Sequence, residues 1–389
     1  MTNRRTFLHG AAAAAATAAT AATGLATLGV QANAATGTSP REQRPLIIDA
    51  LGGIDNMNLP ATRREDVASD FGIDPRAMAD AKASGLSAFN MTIGYVFGAG
   101  DPYEKSLADV HAWNALIQKK SADLLLVRGA ADIRRAHAER RIGVILGFQN
   151  AAMMGKDARR VEVFAKGGVR VIQLTYNGPN QLGDGSMVPT NKGLTPFGHD
   201  VVAELNRNRV LVDLSHSGEQ ICLDAAAAST SPIIISHTGC RAIADLPRNK
   251  TDKELRLVAE KGGFVGIYFM PFLAIGRQPL ATDLITHIEH AINVCGEDHV
   301  GFGTDGSVTQ IDNMPEYLKG LEDEVRQRRA AGISAPGERP DIVPFLPDLM
   351  GKDKFRKLAD LLAKRGHSSS RIEKILGTNF LRVADGVWR

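Results

Sequence analysis

Short apolar segments recur along the chain from residue 45 onward, and longer segments with helical periodicity lie between them. Eight of these apolar runs are almost continuously apolar, as strands buried on both faces are. They read PLIIDA, GLSAFNMTI, RIGVILGFQ, GVRVIQLTY, RVLVDLSH, SPIIISH, GGFVGIYF and DHVGFGTD. Helical patterns such as DPRAMADAKAS, TPFGHDVVAELNRN and DLITHIEHAINVCG separate them. This alternation predicts an α/β fold with a parallel sheet.

We predict that residues 45–389 form a single (β/α)8 barrel, a TIM barrel of the metal-dependent hydrolase type. A doubly wound open sheet is the alternative for a chain with this alternation. No glycine-rich phosphate-binding motif follows the first apolar run, and its absence disfavours the open sheet. The 389 residues, 44% of them hydrophobic, suffice for one large core.

The first 34 residues have the composition of an export signal. The pair Arg4-Arg5 precedes a weakly apolar, alanine-rich stretch that ends in the cleavage-type tripeptide Ala32-Asn33-Ala34. This order predicts a twin-arginine signal peptide over residues 1–34, a linker over 35–44, and a periplasmic or secreted protein. An ordinary secretory signal is the alternative. No later apolar run is long enough to cross a bilayer, so no membrane span is expected in the mature chain.

Charge and cysteine content narrow the function classes. The formal net charge is only +3, and basic and acidic residues are interspersed, so nucleic acid is not an expected partner. The cysteines, Cys222, Cys240 and Cys295, show neither a disulfide framework nor zinc-ribbon spacing. We expect all three to be small buried residues.

Polar residues stand at the ends of several apolar runs. They are Asp49, Gln149, Tyr176, His216, His237 and Asp305. In TIM barrels the reacting groups gather at the carboxyl ends of the strands, so these side chains are expected to share one mouth. Two histidines on successive strands, with an aspartate on the last strand, favour a metal site over two structural histidines. Imidazole nitrogen and carboxylate oxygen are both ordinary ligands of zinc.

Other residues that could bind a metal are interpreted as structural. His287 and His290 are three residues apart on a helical segment, but a helix before the last strand should lie on the outer ring. We therefore expect a surface pair. Asp55 lies six residues past Asp49 and could turn back to the mouth, but we expect it to cap the following helix.

Longer motifs surround these residues. They are GLTPFGHDVVAELNRNRVLVDLSHSGEQ, PIIISHTGCRAIADLPRNKTDKELRLVAEKGGFVGIYF, DHVGFGTDGS and LAKRGHSSSRIEKILGTNFLRV. In this order the chain resembles the membrane (renal) dipeptidase family from about residue 45 to its end. The resemblance implies a TIM-barrel hydrolase with a two-zinc centre that cleaves dipeptides and usually forms a homodimer. By position it implies that His216 and His237 bind metal, that Asp305 lies beside the metal-bound water, and that Arg248 holds the substrate's carboxylate.

The rest of the implied centre departs from the family pattern. Leu51 and Gly53 stand where the family has a histidine and an aspartate for the first metal. Gln149 replaces the bridging glutamate, and Tyr176 replaces a histidine that faces the substrate. Leu51 has no lone pair and Gly53 has no side chain, so the first metal has lost both of its own ligands.

We therefore expect one zinc ion or fewer. His216 and His237 would hold it, with the Gln149 carbonyl oxygen as a weak ligand and Asp49 as a substitute oxygen ligand. A neutral amide cannot balance the charge of two neighbouring dications as a carboxylate does. Zinc affinity should accordingly be lower than at an intact centre.

The predicted function is a metallohydrolase that cleaves dipeptides or related small amides with a free carboxylate. Arg248 would bind that carboxylate, and Asp305 would move a proton from water to the leaving amine. Tyr176 would contact the substrate and donate its hydroxyl to the developing oxyanion. Two alternatives remain open: a non-catalytic barrel that binds small peptides, and a hydrolase with a changed reaction.

Export supplies a first prediction. Replacing Arg4 and Arg5 with lysine should leave the protein in the cytoplasm, because the twin-arginine pathway recognises that pair. Cell fractionation followed by immunoblotting measures the distribution, and lysine substitution at Arg41 is the control that should not alter it. Normal delivery of the double-lysine variant to the periplasm would contradict the proposed route.

Overall fold

Nine parallel strands form the sheet of the computed structural model, which describes residues 44–388. The strands are β1 Ile48–Asp49, β2 Ala88–Thr92, β3 Leu124–Leu126, β4 Ile142–Phe148, β5 Val169–Gln173, β6 Leu211–Asp213, β7 Ile234–Thr238, β8 Phe264–Ile267 and β9 Val300–Phe302. Eight of them follow the order β1-β2-β4-β5-β6-β7-β8-β9, and β3 pairs with β4 beside this path. The eight predicted strands are thus all present. The short β3 was missed because three leucines do not distinguish a strand from a helix.

Beyond the strand ends, β9 returns to β1 and nearly closes the barrel. The amide of Ala50 donates to Phe302 O at 3.2 Å, and the amide of Asp305 donates to Leu51 O at 2.8 Å. These bonds and the parallel strand order confirm the predicted (β/α)8 barrel. The predicted signal peptide and most of the predicted linker lie outside the described residues.

Helices connect the strands. They are α1 Ala61–Arg64, α2 Pro75–Ala83, α3 Pro102–Lys119, α4 Ala130–Ala138, α5 Arg160–Lys166, α6 Pro196–Arg207, α7 Glu219–Ala228, α8 Asp252–Glu260, α9 Ala281–Cys295, α10 Met314–Ala330, α11 Lys354–Lys364, α12 Ser369–Glu373 and α13 Asn379–Val387. Their starts follow local sequence signals. Thr195 caps α6 ahead of a proline in its first turn, and Thr251 and Glu254 form a capping box on α8. None of these helices has the length and apolar character needed to cross a membrane.

A small apolar cluster adjoins the barrel mouth, separate from the main core. Its members are Ile311, Leu321, Val325, Val343, Phe345 and Met350. They come from α10 and from the irregular segments before and after it. The buried residues of α10, Leu321 and Val325, both belong to this cluster and not to the main core.

Burial confirms the sequence prediction for two of the three cysteines but not for one of the two histidines of α9. Cys222 and Cys240 are buried as predicted, whereas Cys295 is half-buried. The prediction of a surface pair was wrong for His287, whose exposed fraction is 0%. Its Nδ1 accepts from the amide of Cys240 at 2.9 Å, and its Nε2–H donates to Leu273 O at 3.0 Å. The loops after β7 and β8 cover this face of α9, which helical periodicity alone does not reveal.

His287 therefore supplies a stability prediction. His287→Ala should lower the free energy of unfolding by about 2–4 kcal/mol, because two buried backbone groups lose their partners. Urea unfolding at pH 7 measures the loss. His290→Ala on the same helix is the control, since it breaks only a partly exposed pair with Asp252 and should cost under about 1 kcal/mol.

His287 also makes the stability of the fold depend on pH. Burial lowers the pKa of His287 from 6.5 to about 4. Between these values the unfolded chain binds a proton that the folded chain does not, so stability decreases as the pH falls from 6.5 towards 4. Unfolding curves across this range should show a smaller decrease for His287→Ala. An identical decrease in both proteins would contradict the assignment.

Candidate active site

His216 and His237 meet at the carboxyl ends of two neighbouring strands. His216 follows β6, His237 lies in β7, and β6 pairs with β7. Both side chains are buried, and their Nε2 atoms lie 3.0 Å apart. The parallel register thus brings the two predicted metal ligands into direct contact.

A buried carboxylate determines which nitrogen of His237 carries the proton. Asp213, the last residue of β6, accepts hydrogen bonds from the Ser215 hydroxyl at 2.6 Å and from the Ser236 hydroxyl. Because Ser236 gives its proton to Asp213, its oxygen accepts from Nδ1–H of His237 at 2.8 Å. The Nε2 atom of His237 is then unprotonated in the neutral ring.

Asn177 determines in the same way that the proton of His216 is on Nδ1. Its Nδ1 lies 2.7 Å from Asn177 Oδ1, and the Asn177 amide is oriented by donating from Nδ2 to Ile333 O at 2.9 Å. Nδ1 of His216 must therefore be the donor. Burial lowers the pKa of both histidines well below the usual range, so both rings are neutral. Two acceptor nitrogens face each other, an arrangement that repels unless a cation lies between them.

Arg248 supplies a positive charge at this point. Its exposed fraction is 2%, its Nη1 donates to Ser215 O at 2.6 Å, and its Nη2 donates to His216 Nε2 at 3.2 Å. Both ends of the guanidinium are thus engaged within the histidine cluster. Arg248, like His216 and His237, is not among the residues that line the neighbouring cavity.

Asp305 and Tyr176 line a cavity of about 280 Å³ between the barrel mouth and α10. Asp305 has a φ of 52°, in the left-handed region that costs a non-glycine residue energy and often marks functional positions. Its Oδ2 lies 3.9 Å from His237 Nε2. Burial raises the pKa of Asp305 to about 7, although the charges of Arg248 and Arg328 oppose the shift. A carboxyl group with this pKa can both accept and return a proton near neutral pH.

Tyr176 connects the histidines to the cavity. Its ring stacks on His216 with centroids 4.3 Å apart, and Phe97 stacks on its other side at 5.9 Å. Its hydroxyl forms a hydrogen bond with Arg328 of α10. The hydroxyl is therefore held at the edge of the cavity, beside a cation.

Three other residues considered as metal ligands form hydrogen bonds or ion pairs within the protein. Asp49 accepts from Thr304 through both oxygens, from the amide at 2.8 Å and from the hydroxyl at 2.6 Å. Gln149 donates from Nε2 to Thr92 Oγ1 at 2.7 Å. Asp55 pairs with Arg64 at 3.3 Å, so it does not cap α1 as expected. These contacts give all three residues structural partners.

The histidine pair supplies two donor atoms for a metal ion. Leu51 is buried with an apolar side chain, and Gly53 has no side chain, so neither of these positions supplies a donor. Within residues 44–388 no cluster of three or more His, Cys, Asp or Glu side chains is arranged to hold a metal. The two converging Nε2 lone pairs remain suitable ligands for a single cation, and their Nδ1 partners are those that orient metal-binding histidines.

Sequence analysis missed several residues of this site. Asp213 left a signal, because a carboxylate within the apolar run RVLVDLSH needs a buried partner. Arg328 left none, because EVRQRRA looks like any solvated basic helix. Lys354, buried against Ser307 O at 3.0 Å, begins α11 far along the chain and was equally undetectable.

The Ser236 hydroxyl gives a test of the proton positions. Ser236→Ala removes the acceptor for Nδ1–H of His237, so the proton should move to Nε2 and bond to His216 instead. Zinc affinity should fall by about 10–100-fold, the usual effect of losing a partner that orients a ligand. Competition with a chelator measures affinity, and ¹⁵N spectra of the rings measure the tautomer. The buried Ser229→Ala is the control; unchanged spectra in Ser236→Ala would contradict the assignment.

Comparisons with known proteins identify relatives of this chain. The sequence profile of the membrane dipeptidase family (peptidase family M19) matches residues 76–330. An uncharacterised protein of the pqqA 5′ region from Klebsiella pneumoniae is 30% identical over 301 residues, 75% of this chain and 98% of that protein. The dipeptidase tcpJ of Claviceps purpurea is 29% identical over 258 residues, 65% of this chain and 53% of that protein. The crystal structure of an amidohydrolase from Pseudomonas aeruginosa is 30% identical with a TM-score of 0.72, covering 88% of this chain and 97% of that one.

Proposed function

The chain belongs to the membrane dipeptidase family, peptidase family M19, and we propose that it hydrolyses dipeptides or related small amides with a single zinc ion at most. Membership makes it a metal-dependent, dipeptidase-like hydrolase acting on small peptides. The proposal of one ion rests on this chain's own donors. Two histidines converge, whereas Leu51 and Gly53 offer no ligand for a second ion.

The observation that supports the proposal is the pair of unprotonated Nε2 atoms 3.0 Å apart. A zinc ion held by His216 and His237 would supply Lewis acidity, which polarises a carbonyl group and acidifies water. Two nitrogen ligands are fewer than the three of most catalytic zinc sites, so we expect weak binding. Arg248 holds His216 in place through Ser215 O and the ring nitrogen.

The remaining steps fall to residues that face the cavity. Asp305 would accept a proton from the attacking water on its carboxylate and return it to the leaving amine, as its pKa near neutrality allows. Tyr176 would donate its hydroxyl to the developing oxyanion. Burial raises the pKa of Tyr176, and the neighbouring charge of Arg328 opposes this rise by stabilising negative charge near the phenol oxygen.

One observation favours a second candidate, a non-catalytic barrel that binds small peptides. Arg248 already donates to His216 Nε2 at 3.2 Å, so a metal ion must displace this hydrogen bond and approach a guanidinium. Charge repulsion lowers the affinity for a dication. If the dissociation constant for zinc exceeds the available zinc concentration, the barrel keeps its cavity but cannot catalyse metal-dependent hydrolysis.

We also propose a periplasmic setting. The twin arginines and the Ala32-Asn33-Ala34 tripeptide support export of a protein that has already folded. Such a protein can take up its metal in the cytoplasm before export.

Metal analysis and hydrolysis measured together test the proposed function. The natural protein should contain at most one zinc per chain and hydrolyse members of a set of L-L and L-D dipeptides. His237→Ala should lose both metal and activity. Gln149→Glu should hold one ion more tightly, because a carboxylate is a better ligand for a dication than an amide. His290→Ala, which removes a histidine far from the mouth, should retain both.

Three results would overturn parts of this proposal. Two zinc ions per natural chain would show that other oxygen ligands replace those lost at Leu51 and Gly53. No zinc in either the natural protein or Gln149→Glu would support the peptide-binding barrel instead. Activity that survives in metal-free His237→Ala would show that the histidine pair takes no part in hydrolysis.

A further inference from the structure

The cavity of about 280 Å³ beside Asp305 has a predominantly apolar wall. Its apolar lining includes Met57, Phe269, Leu321, Val325, Phe345 and Met350. A cavity of about 150 Å³ in a protein core accommodates benzene, so this space admits one aromatic ring or branched chain together with a small polar group. A long peptide does not fit.

Arg328 brings a positive charge to this apolar space. It projects from α10, lines the cavity and has a side chain only 19% exposed. Its Nε and Nη2 donate to the two oxygens of Glu338, each at 2.9 Å, and it bonds to the Tyr176 hydroxyl. The Nη1 group takes no part in the pair with Glu338.

The other basic residues around the cavity are less suited to receive an anion. Arg64 and Arg339 are paired with Asp55 and Asp341, as Arg328 is with Glu338, and the side chain of Arg339 is 47% exposed whereas that of Arg328 is 19% exposed. The ammonium of Lys354 is buried and donates to Ser307 O at 3.0 Å. Arg248 does not line the cavity. Arg328 thus combines partial burial and contact with the cavity, and its Nη1 group is not used by Glu338, on a planar side chain that suits carboxylates.

We propose that this cavity binds a small molecule with an aromatic or branched apolar group and a carboxylate, and that Arg328 binds the carboxylate. The proposal rests on the proposed function in identifying this molecule as part of the substrate. The binding itself needs neither metal nor hydrolysis. In this arrangement the role expected for Arg248 passes to a residue of α10, while Arg248 positions His216.

Calorimetry with two matched ligands tests the proposal on the zinc-free natural protein. 3-Phenylpropionate carries the ring and the carboxylate, and 3-phenylpropionamide carries the ring with a neutral amide. The carboxylate should bind about 10–100-fold more tightly, because its hydrogen bonds to a guanidinium are charge-assisted. Arg328→Gln should remove this difference, and Arg328→Lys should retain only part of it. Arg326→Gln, an exposed substitution on the same helix, should leave it unchanged.

Glu338→Gln separates ligand binding from a merely structural role. If Arg328 only anchored the segment that contains Glu338, both Arg328→Gln and Glu338→Gln would weaken the two ligands alike. Direct binding predicts that Glu338→Gln keeps or increases the preference for the carboxylate, since a competing anion is removed. Val325→Phe should weaken both ligands by filling the apolar part of the cavity. Circular dichroism establishes that each variant is folded.

The proposal is overturned if the natural protein binds the acid and the amide equally, or binds neither at millimolar concentration. It is also overturned if folded Arg328→Gln still prefers the acid. These results are separable from those on the proposed function. A chain that binds 3-phenylpropionate through Arg328 but hydrolyses no dipeptide keeps the inference and loses the function. A chain that hydrolyses dipeptides without binding this acid does the reverse.

Discussion

Asp49 joins the first strand of the barrel to the last. Its buried carboxylate accepts from the amide and the hydroxyl of Thr304, the residue next to Asp305. A Cβ at residue 52 would overlap this carboxylate, so glycine is required where the chain passes it. The bonds close the barrel and set the position of Asp305 at the mouth. Burial raises the pKa of Asp49 to about 6, and the positive charge of Lys354 partly offsets that cost.

Asp213 performs the corresponding task on the opposite side of the mouth. It joins β6 to β7 through Ser215 and Ser236, whose hydroxyls and amides all donate to it. The same bonds place the proton of His237 on Nδ1. One carboxylate thus aligns two strands and determines which nitrogen a cation would meet. This coupling explains why a buried charge is retained in a strand whose other residues are apolar.

A positive charge adjoins His216 at the barrel mouth. A family member with a bridging carboxylate has negative charge between its ions, whereas here the nearest charged group to His216 is Arg248. The centre therefore has a cation where a dication would bind, and two neutral histidines as its ligands.

The sequence by itself determined the barrel, the eight strands of its closed path and the residues at their carboxyl ends. Alternating apolar runs and helical patterns are local properties, and strands buried on both faces leave a clear signal. The missing ligands were equally readable, because Leu51 and Gly53 lack donor atoms in any fold.

Only the tertiary structure decided how these residues act together. Arg248 contacts His216, His287 is buried against the amide of Cys240, and Asp49 accepts from Thr304, and each of these contacts joins segments far apart in the chain. The cavity wall and Arg328 come from a helix whose sequence resembles an ordinary solvated one. Side-chain partners of this kind are set by three-dimensional packing, which local patterns do not encode.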